Sequence, residues 1–356
     1  MNCMVWAVIV AMIATLISGK SFADIEQCFA AGITEQLYAR CITDVANNKL
    51  LPEDEVKSID VALKNIGFSN GLGLNFSEQS SHDLINITAQ PVLRFESNIN
   101  NGNPQKDLII GQIKLEGEAD RVKKAGSVAG YELNLGGRWY TSEGSYLNYR
   151  FQFERVHASN SNDKILSDKF HLCSENHIYN WTFLSLCSQY ETQTKTFNKF
   201  KARNYNVNIV KAISLKSGLN TAFSLGINHL KQQDYDQQQF TIGLETMTPN
   251  KSLLKANIKI GDPVENMHSL KYQGSIHYNF KYNENPISLS LRVSHLNGSK
   301  WFGLPRDDKS WGIAFSFPLT SKFLLSLGYD SNQSTLDYFS NQSPTVALHY
   351  SLLELR

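Results

Sequence analysis

Charge is scarce in this chain. Lys, Arg, Asp and Glu make up 19% of its 356 residues, and the formal net charge is +1. That balance excludes a polybasic nucleic-acid binder and an acidic solvating chain. Cysteine is also scarce, with five residues and no CxxC pair, which disfavours a zinc site. Long apolar runs are missing except at the N-terminus, where Met4 to Ile17 is too short for a confident transmembrane helix. What is present is a hydrophobic fraction of 42%, too high for bulk disorder.

The run from Met4 to Ile17 is followed by Ser18, Gly19, Lys20, Ser21, Phe22 and Ala23. This reads as a secretory signal over 1–23 cleaved after Ala23, with an uncleaved anchor as the alternative. Asp24, Ile25, Glu26 and Gln27 precede Cys28 and do not form a lipobox. Cys3 leaves with the signal, so four cysteines remain as two local pairs, Cys28/Cys41 and Cys173/Cys187. An even count in an exported chain predicts two disulfides, against the alternative of four free buried thiols.

Residues 24–68 carry a helical pattern. Cys28, Phe29, Ile33, Leu37, Tyr38 and Cys41 recur at helical spacing, and Leu51-Pro52-Glu53-Asp54-Glu55 opens a second helix. A segment this small is expected to dock on something larger, as a periplasmic cap or a plug.

From about Gly71 the period becomes that of strands. Tyr149, Phe151 and Phe153 alternate with Arg150, Gln152 and Glu154, and Leu289 and Leu291 with Ser290 and Arg292. Such strands have one apolar and one polar face. Many run longer than the usual globular strand and match the length needed to cross a bilayer. Open edges cannot sit in lipid, so they must close. Aromatics near strand ends, including Trp139, Tyr140, Tyr146, Tyr278, Tyr282, Trp301, Trp311, Tyr329 and Tyr350, fit interfacial girdles. The reading is all-β: a transmembrane antiparallel up-and-down β-barrel of 14–16 strands over 69–356, with a small N-terminal helical segment. It implies a bacterial outer membrane with residues 24–68 in the periplasm; a secreted soluble β-protein is the alternative.

Periodicity alone gives fourteen strands, with one at 107–117. Short turns at Lys216-Ser217, Pro249-Asn250, Asn283-Glu284-Asn285 and Thr320-Ser321 alternate with longer loops at 231–236, 262–267, 297–307 and 333–342. Keeping that alternation requires a further strand at 166–176, in a hairpin centred on Asn180 that pairs Cys173 with Cys187, and a first strand at 70–79. Parity thus gives sixteen.

No catalytic, metal or cofactor set emerges. His295-Leu296-Asn297-Gly298-Ser299 is the nearest approach to an outer-membrane phospholipase pattern but places no Ser beside the His, and Ser69-Asn70-Gly71 lacks a His. Asp330, Asp337, His349 and Asp307-Asp308 read as solvated charges. The chain is therefore read as non-enzymatic, with a lipid-modifying enzyme as the remote alternative. The inward-facing set is more informative: Arg94, Glu132, Arg138, Arg150, Glu154, Lys255, Lys259, Lys271, His277, Lys281 and Arg292. Its early members have mixed signs. The late ones are mostly basic with few acids on the same strands, so their fields add and favour anions in an open lumen. A charge-paired lumen without selectivity is the alternative. Asn and Gln runs at Asn98 to Asn103 and Gln232 to Gln239 read as wet loop surface.

Pro91-Val92-Leu93-Arg94-Phe95-Glu96-Ser97-Asn98-Ile99-Asn100-Asn101 resembles the opening barrel strand of the surface lipoprotein assembly modifier family. That resemblance implies an outer-membrane barrel that helps lipoproteins reach the cell surface. The family's N-terminal helical repeats are absent, and only 24–68 stands in their place. The leading expectation is a channel for small solutes; surface assembly or translocation of an exported protein comes second. Expected partners are outer-membrane lipids with lipopolysaccharide, the barrel assembly machinery and an exported protein, with no nucleic acid.

Overall fold

The computed structural model describes residue 28 and residues 33–48 and 84–350, with breaks at 111–112, 143–144, 160, 216–218, 234, 249–251, 284 and 321. The signal at 1–23, the second helix from Leu51 and the strand at 70–79 lie outside the described residues. Among the described residues one α-helix, α1 (Glu35–Asn48), precedes the strands. These are β1 (Leu84–Glu96), β2 (Asp107–Ile110), β3 (Ile113–Glu116), β4 (Gly126–Ser142), β5 (Ser145–Ala158), β6 (Lys164–Tyr179), β7 (Thr182–Lys195) and β8 (Asn198–Ser214). They continue as β9 (Asn220–Gln232), β10 (Asp236–Met247), β11 (Leu253–Gly261), β12 (Ser269–Tyr282), β13 (Asn285–Trp301), β14 (Leu304–Pro318), β15 (Phe323–Ser334) and β16 (Asn341–Tyr350).

Fourteen strands, β1 and β4 to β16, close into one antiparallel barrel. Chain neighbours pair throughout, and β1 completes the ring by pairing with β4 on one side and β16 on the other. Closure leaves no open edge, as the long period-two strands require. The count is therefore fourteen and not sixteen, by a different route from the periodicity. Residues 107–117 do not join the wall. β2 and β3 form a separate two-stranded hairpin inside the connection from β1 to β4. Each has only four residues, too few to cross a bilayer. The strand expected at 166–176 does exist, as β6. Its hairpin with β7 turns at Asn180 and Trp181, both at positive φ (41° and 62°) as a tight two-residue turn demands.

The expected loop at 297–307 is mostly strand, because β13 and β14 run on to a turn at Phe302 and Gly303. The run Gln232 to Gln239 likewise contributes four residues to β10, with Gln237 and Gln239 buried. Connections at one end, here the turn end, span 143–144, 180–181, 215–219, 248–252, 283–284 and 319–322. The opposite, loop end carries the longest one, 97–125.

β8 shows how the sequence sets the two faces. Ala202, Asn204, Asn206, Asn208, Val210 and Ala212 face inward, while Tyr205, Val207 and Ile209, each 48–49% exposed, face outward. The register carries this alternation around the wall, leaving Phe223, Leu225, Ile227, Phe240, Ile242, Ile258 and Ile260 exposed outside. A continuous apolar exterior of this extent needs a cover other than water.

Helix α1 lies in the lumen at the turn end. Its buried Leu37, Tyr38, Ala39, Cys41 and Ile42 pack with Tyr146, Trp181, Phe183, Ala212, Ala222, Met247 and Leu253 of the wall. Burying each large apolar side chain contributes about 1.5–3 kcal/mol. The helix begins at Glu35, later than the spacing from Cys28 suggests, and the Cys28–Cys41 disulfide (Cα–Cα 5.7 Å) ties the preceding segment back to it. The second predicted disulfide, Cys173–Cys187, is also present, between directly opposed residues of β6 and β7.

The lumen as candidate functional site

The inward face divides into two arcs. Across β1 and β4 to β7 the charges are paired. Arg94 contacts Glu154 at 2.5 Å and Glu96 at 3.3 Å, and Lys195 reaches Glu96 at 2.8 Å. Glu132 accepts hydrogen bonds from Gln90, Asn134 and Gln152 at 2.7–2.9 Å. Lys169 pairs with Glu191 at 3.2 Å. Arg138 is buried with its guanidinium 4.2 Å from the Tyr146 ring centre. Arg150 stands opposite His171 across β5 and β6. In this arc, lumen charges largely satisfy one another.

The second arc, β8 to β13, is sparser. Lys255 contacts Glu245 at 3.4 Å, and Arg292 contacts Asp330 at 3.0 Å. These pairs correct the expectation of an uncompensated basic wall: the acids come from outside β11 to β13, Glu245 from the adjoining β10 and Asp330 from β15 across the intervening β14. Lys259 is inward, with no ion-pair or hydrogen-bond partner among the described residues. Lys281 is exposed beside the turn at 283. Lys271 falls at a register shift between Leu270 and Tyr272, so simple alternation does not carry it inward.

Beside the helix this arc borders an open-sided cavity of about 270 Å³ whose polar lining includes Thr34, Gln36, Asn208, Ser224, Glu245, Lys255, Asn257, Ser275 and His277, with Gly243 among them. A Cβ at Gly243 would stand 2.2 Å from Ser224 Oγ, so a larger residue there would force the Ser224 hydroxyl to turn away. The lining sets amides, hydroxyls, one imidazole and a Lys–Glu pair among the apolar Val210, Ala222, Leu244 and Ala256, which suits a small solute with both polar and apolar parts. Glu245 also accepts a hydrogen bond from the Thr34 backbone N–H at 2.8 Å, and Arg40 donates to Ser214 Oγ at 2.8 Å. The helix is thus held to the wall by polar contacts at both sides of its apolar seat.

At the loop end, residues 97–101 fold inward along the wall. Ile99 is buried against Val128, Val156 and Ile165. Asn100, fully buried, donates to the Val122 carbonyl and accepts from the backbone N–H groups of Gly102 and Lys124. Its carbonyl accepts from the Phe197 N–H at 3.1 Å, linking the first long connection to the β7–β8 turn. Nearby, the hydrogen bond from Thr196 holds the Asp163 carboxyl below the usual carboxylate range against the opposing effect of burial, helped by Ser161 and Lys124.

The enzyme candidates do not assemble. His295 contacts Asp307 at 2.7 Å, but its Nδ1 has no hydrogen-bond partner and no serine hydroxyl joins the pair among the described residues. Asp308 is taken up by His268 and Arg306. Glu245 and Lys195 were missed in the sequence, although the alternation of β10 and β7 carries both. The inward fold of 97–101 has no local signal.

No family model matches the chain, and no curated protein matches it. Solved structures do. OccK9 (OpdG) of Pseudomonas aeruginosa is 9% identical with a TM-score of 0.42, over 76% of this chain and 98% of that one. OprB of Pseudomonas putida is 8% identical with a TM-score of 0.43, over 75% and 94%. A BenF-like porin from Pseudomonas fluorescens Pf-5 is 8% identical with a TM-score of 0.37, over 77% and 99%. The fold assignment rests on the chain's own strand register. The resemblance of 91–101 to the assembly modifier family gains no support from these comparisons; Pro91 to Glu96 does lie in β1, the first barrel strand described.

Proposed function

We propose that the chain is a non-enzymatic outer-membrane channel for small polar solutes, with its loop end outside and α1 as a periplasmic plug. The observation that carries this reading is the two-faced wall: an apolar exterior around a polar lumen that retains a cavity of about 270 Å³ beside the helix. Short turns on the periplasmic side and longer connections outside are the rule for such barrels. Because Lys255 and Arg292 are partly neutralised, any anion preference falls mainly to Lys259 and Arg150, which have no acidic partner among the described residues.

The seating of α1 also favours a second reading, a closed barrel serving surface assembly of an exported protein. Planar-bilayer recordings separate the two. The full mature chain is expected to pass small currents, and removal of 24–48 to raise them several-fold. Cys28→Ser with Cys41→Ser serves if the truncation does not fold. A heat-modifiable barrel that stays silent in all forms supports the assembly reading.

A further inference from the structure

The outward face is not apolar along its whole height. On β8 the outward positions, read from the loop end, are Lys199, Lys201, Arg203, Tyr205, Val207 and Ile209. The register sets Lys231 of β9 directly opposite Arg203, and Tyr190 of β7 on its other side. All four basic residues are exposed. The Arg203 guanidinium lies 5.7 Å from the Tyr190 ring centre, and Tyr205 and His229 stack at 6.5 Å just below.

This cluster is poorly neutralised. Among the described residues Lys231 has one exposed acidic neighbour, Asp236 at 3.9 Å, a distance and setting that contribute little. Lys199, Lys201 and Arg203 have no acidic partner among the described residues. Like charges facing across strands destabilise a sheet, so the arrangement calls for an external counter-charge. Elsewhere on the exterior, Arg155 is matched by Asp168 at 2.6 Å and His295 by Asp307 at 2.7 Å.

The position indicates the chemistry of that counter-charge. Val207, Ile209, Leu225 and Ile227 form an exposed apolar strip directly below, where acyl chains would lie. The four residue steps of strand from Lys199 to Arg203 span about 13 Å, the scale of a lipid headgroup. Arg grips phosphate bidentately, and Tyr190, Thr192 and Thr194 of β7, opposite Arg203, Lys201 and Lys199, offer sugar-compatible hydrogen bonding and stacking. We propose that the loop-end exterior of β7 to β9 binds the phosphorylated sugar headgroup of a multiply acylated outer-leaflet glycolipid. This rests on the outer-membrane reading above.

The test uses the full mature chain in phosphatidylcholine nanodiscs doped with bis-phosphorylated lipid A, its dephosphorylated form or phosphatidylglycerol, read by native mass spectrometry. The comparison variant carries Lys199→Gln, Lys201→Gln, Arg203→Gln and Lys231→Gln. Wild type is expected to retain bis-phosphorylated lipid A, and the variant to lose about tenfold or more of that retention. Equal retention by both proteins, equal retention of the dephosphorylated form or of phosphatidylglycerol, or competition by inorganic phosphate alone would each overturn the site. If the quadruple variant is not heat-modifiable, the Lys199→Gln, Lys201→Gln pair replaces it under the same criteria. Failure of wild type itself to insert sinks the membrane reading instead.

Discussion

The segments at the two ends of the lumen are held by opposite physics. At the turn end, α1 is seated by burial: Leu37, Ile42, Phe183 and Leu253 are all at 0–1% exposure, with two polar ties. At the loop end, residues 97–101 are held mainly by directed contacts through Asn98, Asn100, Lys195 and Asp163, around one small apolar cluster at Ile99. Burial is non-directional and scales with area, so the helix behaves as a removable body. Hydrogen bonds fail when geometry fails, so the outer segment is a fixed part of the mouth. In the channel reading proposed above, the helix seat would be the gate and the loop end a shaped mouth.

The largest test of that contrast is Phe183→Ala. Emptying this fully buried site should cost about 3–5 kcal/mol at the helix seat. Trypsin should then reach α1 and bilayer currents should rise, while the mouth contacts stay intact. Unchanged protection of α1 would break the comparison.

Next comes the Cys28–Cys41 disulfide, whose closed loop of about 14 residues is worth roughly 3 kcal/mol in the chain-entropy model. Converting both residues to Ser should loosen the plug alone. Hydrogen exchange that rises equally at 97–125 would show the two ends to be coupled.

A smaller effect is expected at the mouth. Asn100→Ala leaves the Val122 carbonyl and the Lys124 N–H without their partner, while Gly102 keeps Asn98, at about 1–3 kcal/mol. Exchange should rise across 97–125 with α1 still protected; a change at α1 without one at the mouth would reverse the assignment.

The smallest is a pH effect. Asp163 has its folded pKa below the unfolded value of 3.8. Its contribution is complete above that value and is lost as pH falls through the folded pKa. Acid should therefore loosen the 97–125 connection before α1, and Asp163→Asn should remove that pH dependence. An acid response confined to the helix would contradict it.

Much of the architecture was legible because a strand's faces are a local property. The alternation of β5 and β13 declared apolar and polar sides without any knowledge of neighbours. The even spacing of the Cys173 and Cys187 positions about Asn180 likewise contained its own hairpin, since the pairing partner lies only 14 residues away. The lumen charges were legible only as single residues. Lys255 could be placed inward from β11 alone, but its neutralisation by Glu245 depends on the β10–β11 register.

What the sequence by itself determined, then, is the two-residue period, the apolar exterior, the polar lumen and the cysteine pairs, all set by contacts within a hairpin or a strand. Tertiary structure decided the count of fourteen, through β1 pairing with both β4 and β16. It also decided that 107–117 leaves the wall, that α1 docks against the inner faces of several wall strands, and that Ile99 and Asn100 turn inward. Each of these joins segments far apart in the chain. Their energy comes from ring closure and shared burial, which no short-range periodicity records.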